Sequence, residues 1–164
     1  MFRKTKVYLD TSVISHLDAD DVPDRMEETL TFWQTLQLGL EFEVFLSDLT
    51  NRELLRCYEP KRSHLIEFLS EIEYETISET KEIRKLADKY LDYRVLSKKD
   101  FDDLLHISHA VVSRCDCIVS WNFKHFVNFK TMDRVNAINL MEGYHFIKIL
   151  TPQMMIGGEY DNES

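Results

Sequence analysis

The chain has 164 residues, with 20 Lys and Arg against 29 Asp and Glu, a formal charge of −9 at pH 7 with histidine neutral. That length suits one domain able to bury a core without a metal or disulfide staple, so a bound metal would serve chemistry rather than folding. An apolar content of 44% excludes general disorder, no apolar run approaches the ~20 residues of a spanning helix, and the acidic balance argues against a broad cationic surface for nucleic acid.

In chain order, Lys6-Val7-Tyr8-Leu9 is a short β-prone run ending at Asp10, and Thr11 to Leu17 reads as a turn into a helix. Pro23 suits a helix start, and Met26, Leu30, Trp33, Leu36 and Leu40 recur at helical spacing with Gly39 near the stop, which gives an amphipathic helix over Pro23 to Leu40. Its apolar face fits either core packing or a partner surface. Phe42 to Ser47 has the composition of a second strand, and helical patterning runs from Leu49 to Cys57 and again from Pro60 to Leu69. A short strand at Tyr74 to Ile77 precedes a helix over Glu79 to Tyr93. Ser97-Lys98-Lys99-Asp100 resembles a capping box before a helix carrying Asp102 and Asp103, with Leu104, Leu105, Ile107, Val111 and Val112 as its buried stripe. Cys117 to Ser120 reads as a strand leading to Trp121-Asn122, followed by a helix over Thr131 to Met141 and a last strand over Phe146 to Leu150. Strands separated by helices imply right-handed crossovers and a mostly parallel sheet covered on both faces, hence the α/β class.

The N-terminal Met-Phe-Arg-Lys-Thr-Lys lacks the apolar region of a signal peptide, and Cys57, Cys115 and Cys117 form no C-x-x-C pair; both features lead us to expect a cytoplasmic protein with reduced thiols. From Asp18 to Glu43 eight acids stand against the single cation Arg25, a region unsuited to phosphate. Lys124, His125, Lys130 and Arg134 form a modest cationic stretch that suits an RNA phosphate or, equally, an ordinary solvated helix face.

Open parallel sheets collect ligands outside the carboxyl ends of their strands. Asp10, Glu53, Asp103 and Asn122 all fall there or in the first turns of the following helices. Crowded carboxylates need a cation between them to stay ionised, and oxygen donors suit Mg²⁺ or Mn²⁺ where zinc would favour His and Cys. Such a site points to metal-assisted phosphodiester chemistry. Each residue also has a structural reading. Asp10 could be an N-cap, Glu53 the end of a Thr50-Asn51-Arg52-Glu53 capping box, Asp102 and Asp103 partners of a helix dipole, and Asn122 a turn residue. His106 and His109, three apart on a helix, read as packed or surface residues, and Trp33 and Trp121 as core aromatics.

Together, Val7-Tyr8-Leu9-Asp10-Thr11-Ser12-Val13-Ile14, the Glu53-Leu54 helix, Asp103-Leu104-Leu105-His106-Ile107-Ser108-His109-Ala110 and Ile118-Val119-Ser120-Trp121-Asn122-Phe123-Lys124-His125-Phe126 resemble the PIN-domain family in this order, and Ile149-Leu150-Thr151-Pro152 resembles the end of VapC-type members. The resemblance implies a three-layer α/β/α sandwich over residues 1–152, with 153–164 as a flexible tail. It also implies a Mg²⁺ or Mn²⁺ site and endoribonuclease activity, which in many bacterial members is the toxin half of a toxin–antitoxin pair. Carried over, Asp10, Glu53 and Asp103 match the acids that bind metal, Asp102 is a neighbour, and Thr11 or Ser12 supports the site. The fourth acid is replaced by Asn122, which carries no charge. The expected partners are an RNA substrate, an antitoxin protein and a second copy of the chain, with no membrane. The competing reading is a PIN-like module that binds RNA or protein without cleavage.

Overall fold

The structure, a computed structural model, describes residues 3–157. Five strands, β1 (Thr5–Leu9), β2 (Phe42–Ser47), β3 (Glu75–Ile77), β4 (Cys117–Val119) and β5 (Lys148–Leu150), form one sheet in the order β3-β2-β1-β4-β5. Every neighbouring pair is parallel, with Val7 opposite both Val44 and Cys117. Between these strands run α1 (Thr11–Ser15), α2 (Pro23–Leu38), α3 (Asp48–Leu55), α4 (Lys61–Leu69), α5 (Lys81–Asp92), α6 (Phe101–Val112) and α7 (Phe129–Glu142), and α8 (Pro152–Gly157) follows β5.

Period-two alternation along the strands divides the core into two layers. Tyr8, Phe45, Ile118 and Ile149 face one way, onto Ile83, Leu86 and Tyr90 of α5, Leu104 and Ile107 of α6, and Val135 and Ile138 of α7. Val7, Leu9, Val44, Leu46, Cys117 and Val119 face the other way, onto α1, α2 and α4. The chain therefore has the three-layer α/β/α architecture that the alternation of strands and helices implies. The apolar stripe of α2 packs inside through Phe32, Trp33 and Leu36, and Trp33 Nε1 donates to the Phe68 carbonyl at 3.2 Å, whereas Leu40, expected to end the helix, lies beyond it and is exposed. The helix stops at Gly39, whose φ of 66° lies in the left-handed region open to glycine without a Cβ penalty.

Three local expectations differ from the structure. Thr50 does not open α3, because Ser47 does, accepting the Thr50 backbone N–H on its hydroxyl. Ser97 and Asp100 bond to each other at 2.8 Å rather than to backbone, and a short 3₁₀ turn, Lys98–Asp100, leads into α6. The segment expected as a tail is helical from Pro152 to Gly157, and Met155 and Ile156 pack onto the α2 side of the core. Residues 158–164 of that tail lie outside the described residues.

Candidate active site

Chain direction reverses its spread across the sheet at β1: β2 and β3 extend to one side, β4 and β5 to the other. This switch leaves a crevice at the carboxyl ends of β1 and β4, where the following loops diverge. Asp10 leaves β1 directly into it and is 5% exposed. As the residue before α1 it has the backbone of an N-cap, yet its side chain makes no capping bond. Its Oδ2 instead accepts the hydroxyls of Ser12 at 2.7 Å and Ser120 at 2.9 Å. Those serines in turn fix the loop after β4, since Ser12 Oγ accepts the Trp121 N–H at 2.9 Å and Ser120 Oγ accepts the Asn122 N–H at 3.0 Å. Asp10 is thus aimed by a hydroxyl pair that spans two strands, and its Oδ1 accepts no hydrogen bond from the described residues.

Asp103 lies in the first turn of α6, while its neighbour Asp102 is exposed. Burial raises the Asp103 carboxyl above the usual range and the charge of Asp10 adds to the rise, against a lowering hydrogen bond from His125. Asp103 thus feels both burial and the charge of Asp10, the electrostatic condition that a bound dication relieves. Asp103 Oδ2 lies 2.6 Å from His125 Nδ1, and His125 Nε2 lies 3.7 Å from Asp100. Among the described residues, the three donors that come within 4.8 Å of one another are Asp100, Asp103 and His125, so of the three acids expected as ligands this group takes in Asp103 and leaves out Asp10 and Glu53.

Glu53 reaches the crevice from the second half of α3 and joins the other acids through His106. The buried ring of His106 has Nε2 at 2.7 Å from Glu53 and 3.9 Å from Asp10, and Nδ1 at 2.6 Å from the Tyr8 hydroxyl. Tyr8 donates to Ser47 Oγ at 2.8 Å, which leaves its oxygen to accept from His106 Nδ1–H. Nε2 meets the Glu53 carboxylate at 2.7 Å, a distance at which charge on the ring and charge on the acid favour one another. Burial opposes the charge on His106, but the Glu53 bond and the charges of Asp10, Glu53 and Asp103 outweigh it and raise its pKa. Burial likewise opposes the Glu53 charge, and His106 outweighs it to hold that carboxyl below its ordinary range.

Asn122 sits just beyond β4, and its Oδ1 accepts the His125 N–H at 2.9 Å. Its side chain orders the turn that carries His125 to Asp103. Trp121 is buried, with Nε1 donating to Thr29 Oγ1 at 2.8 Å. Sequence reasoning did not place His106, His125, Asp100 or Ser120 beside the acids: it reads His106 as packed or surface, His125 as part of a cationic stretch and Asp100 as part of a capping box. The available signal for His106 was its place one helical turn after Asp103.

By donor type Asp10, Asp103 and Glu53 suit a hard divalent cation, each offering carboxylate oxygens, and Oδ1 of Asp10 and of Asp103 have no competing hydrogen bond from the described residues; by spacing, the donors already gathered are Asp100, Asp103 and His125.

No family model matches the chain, and no curated protein matches it. Among solved structures it is similar to a chain of VapBC2 from Rickettsia felis, in a crystal structure of that complex bound to a DNA fragment from its promoter. The match has a TM-score of 0.57 and 16% identity, and covers 90% of this chain and 98% of that chain. The likeness is one of fold, and it agrees with the resemblance carried by the strand-end motifs: the chain has a PIN-like α/β/α fold. No helix among the described residues is long and apolar enough to cross a membrane.

Proposed function

We propose that the protein is a metal-dependent endoribonuclease, with Asp10, Asp103 and Glu53 as ligands of Mg²⁺ or Mn²⁺. The observation that carries this reading is the placement of the buried Asp10 carboxylate at the switch point of a PIN-like sheet, held by Ser12 and Ser120 through Oδ2 with Oδ1 left without a hydrogen bond from the described residues. A bound divalent ion would supply Lewis-acid activation of water and neutralise charge on the phosphate. The chain's own residues do the positioning. Ser12 and Ser120 hold the Asp10 carboxylate, His125 holds that of Asp103, and His106 holds that of Glu53. Asn122 acts as an auxiliary group by ordering the loop that presents His125.

The products of this reading are a 5′-phosphate and a 3′-hydroxyl, and it is tested by incubating RNA with the protein in Mn²⁺ or chelator. Cutting that needs the metal and is abolished by Asp10→Asn and by Asp103→Asn supports it; equal RNA loss in wild type and variants, or 2′,3′-cyclic phosphate ends, would contradict it.

The likeness to VapBC2 further supports a role as the toxin of a toxin–antitoxin pair with an antitoxin as protein partner; a cytoplasmic location and a second copy of the chain as a further partner belong to the same proposal. An adjacent reading frame whose product co-purifies with the chain and suppresses cutting is the expected finding. The second reading, RNA or protein binding without cleavage, draws on Asn122, an uncharged residue whose amide oxygen already accepts a backbone N–H.

A further inference from the structure

A cleft of 540 Å³ lies between the turn after α5 and the first turns of α7. Arg94, Lys98, Lys130 and Arg134 line it together with Leu91, Val95, Leu96 and Ser97, and no acid is among the lining residues. In a chain of charge −9 such a grouping is against the average. None of the four cations forms an ion pair within the described residues, and what sets them apart from other unpaired cations of the chain is that they share one cleft. Like charges gathered without partners repel one another, and a polyanion in the cleft removes that cost.

The backbone holds the group together. Arg94 has φ of 56°, and the Arg94 and Val95 N–H groups close the end of α5 on the carbonyls of Leu91 and Tyr90. Gly or Asn fits that left-handed position more easily than arginine does. Arg134 Nη1 donates to the Arg94 carbonyl at 3.3 Å, tying α7 to the same turn.

The cleft and the acidic site are joined through short connections in the chain. Lys98 opens the 3₁₀ turn that ends at Asp100, one residue before α6 and its Asp103. Asn128, which caps α7, donates through Nδ2 to the carbonyls of Phe123 and Lys124, anchoring the helix that bears Lys130 and Arg134 to the loop that bears His125.

We propose that this cleft cradles the phosphate backbone of a single RNA strand and leads it to the acidic site. The identity of the strand as RNA rests on the nuclease reading above. The anion-binding role rests on the cleft. Arg94, Lys98, Lys130 and Arg134 neutralise successive phosphates, and Asp100, Asp103 and His125 mark where the strand reaches the acids.

The test is anisotropy of a labelled single-stranded RNA of mixed sequence against the full chain in EDTA, over a series of salt concentrations. It compares wild type with Arg94→Asn/Lys98→Gln, in which Asn suits the left-handed turn, and with Lys130→Gln/Arg134→Gln. Lys81→Gln/Lys85→Gln on α5 is the charge-matched control. Each cleft variant is expected to weaken binding about tenfold and to flatten the log K against log salt slope by about 1.4, with the control near wild type. Cleft variants that bind like wild type, or a control that falls as far, would overturn the proposal. So would inorganic phosphate or polyglutamate that displaces the RNA as well as unlabelled RNA does at matched ionic strength. Cleft-dependent binding by a protein that never cuts in Mn²⁺ would sink the nuclease reading alone, and Mn²⁺-dependent cutting with binding unchanged in the cleft variants would sink the cleft alone.

Discussion

His106 Nε2 lies 2.7 Å from Glu53 Oε1 inside a ring environment closed by Tyr8, so an imidazole on α6 holds the carboxylate that α3 delivers. Removing the ring leaves Glu53 partly buried and unpaired, and opens a cavity against Tyr8 and Phe126. His106→Ala is therefore expected to lower stability by about 2–4 kcal/mol in urea unfolding, and Glu53→Gln by less, because an amide still accepts from His106. Equal stability of His106→Ala and wild type would show that the pair does not hold α3 to α6.

Burial and the nearby charge of Asp10 both disfavour the charge of Asp103 without a cation, so the site is a place where function costs stability. In EDTA, Asp103→Asn should melt no lower than wild type. Wild type should gain about 2.7 kcal/mol at a Mn²⁺ concentration 100 times its Kd, and Asp10→Asn and Asp103→Asn should lose that gain. Thermal melts with and without Mn²⁺ decide the matter, and an equal metal response in the variants would remove these two acids from the ligand set.

His109 is buried on α6 with neither ring nitrogen hydrogen-bonded, and burial lowers its pKa to about 4 despite Asp48 at 3.6 Å. Between the ordinary histidine value of 6.5 and about 4 the unfolded chain binds a proton that the folded chain refuses, so stability falls as pH falls through that window. His109→Leu should lose about 1–2 kcal/mol less than wild type between neutral and acid pH. Parallel pH dependence of the two proteins, measured by urea unfolding, would contradict the assignment.

The strands were legible because each has a face. Tyr8 between Val7 and Leu9, and Phe45 between Val44 and Leu46, write the two core layers into alternate positions, and Phe42–Ser47 is a strand at the bounds its composition gives. Asp10 was legible for the same reason, as the first polar residue after such a run. The contacts that organise the acids were not. His106 serves Glu53 across 53 positions, and Ser120 serves Asp10 across 110, so no local period encodes either. The serine pair, the two imidazoles and the amide of Asn122 acquire their partners only when β1, β4, α3 and α6 meet. The helix at Pro152–Gly157 escaped notice because six residues carry too little periodicity, and it is held by packing of Met155 and Ile156.

That packing gives a further expectation. Ending the chain at Thr151 removes Met155 and Ile156 from the α2 layer and uncovers the apolar surface beneath them, at a cost of about 2–4 kcal/mol. An unchanged urea midpoint in the shortened protein would mean that α8 rests on the core without stabilising it.

The central claim, that carboxylates from separate elements share one divalent ion, is met most directly by anomalous diffraction from a crystal soaked in Mn²⁺. The account predicts a peak with oxygens of Asp10 and Asp103 within about 2.6 Å and Glu53 as the third acid. A peak held by Asp100 and His125 with Asp10 outside coordination distance, or no peak in the crevice, would contradict it.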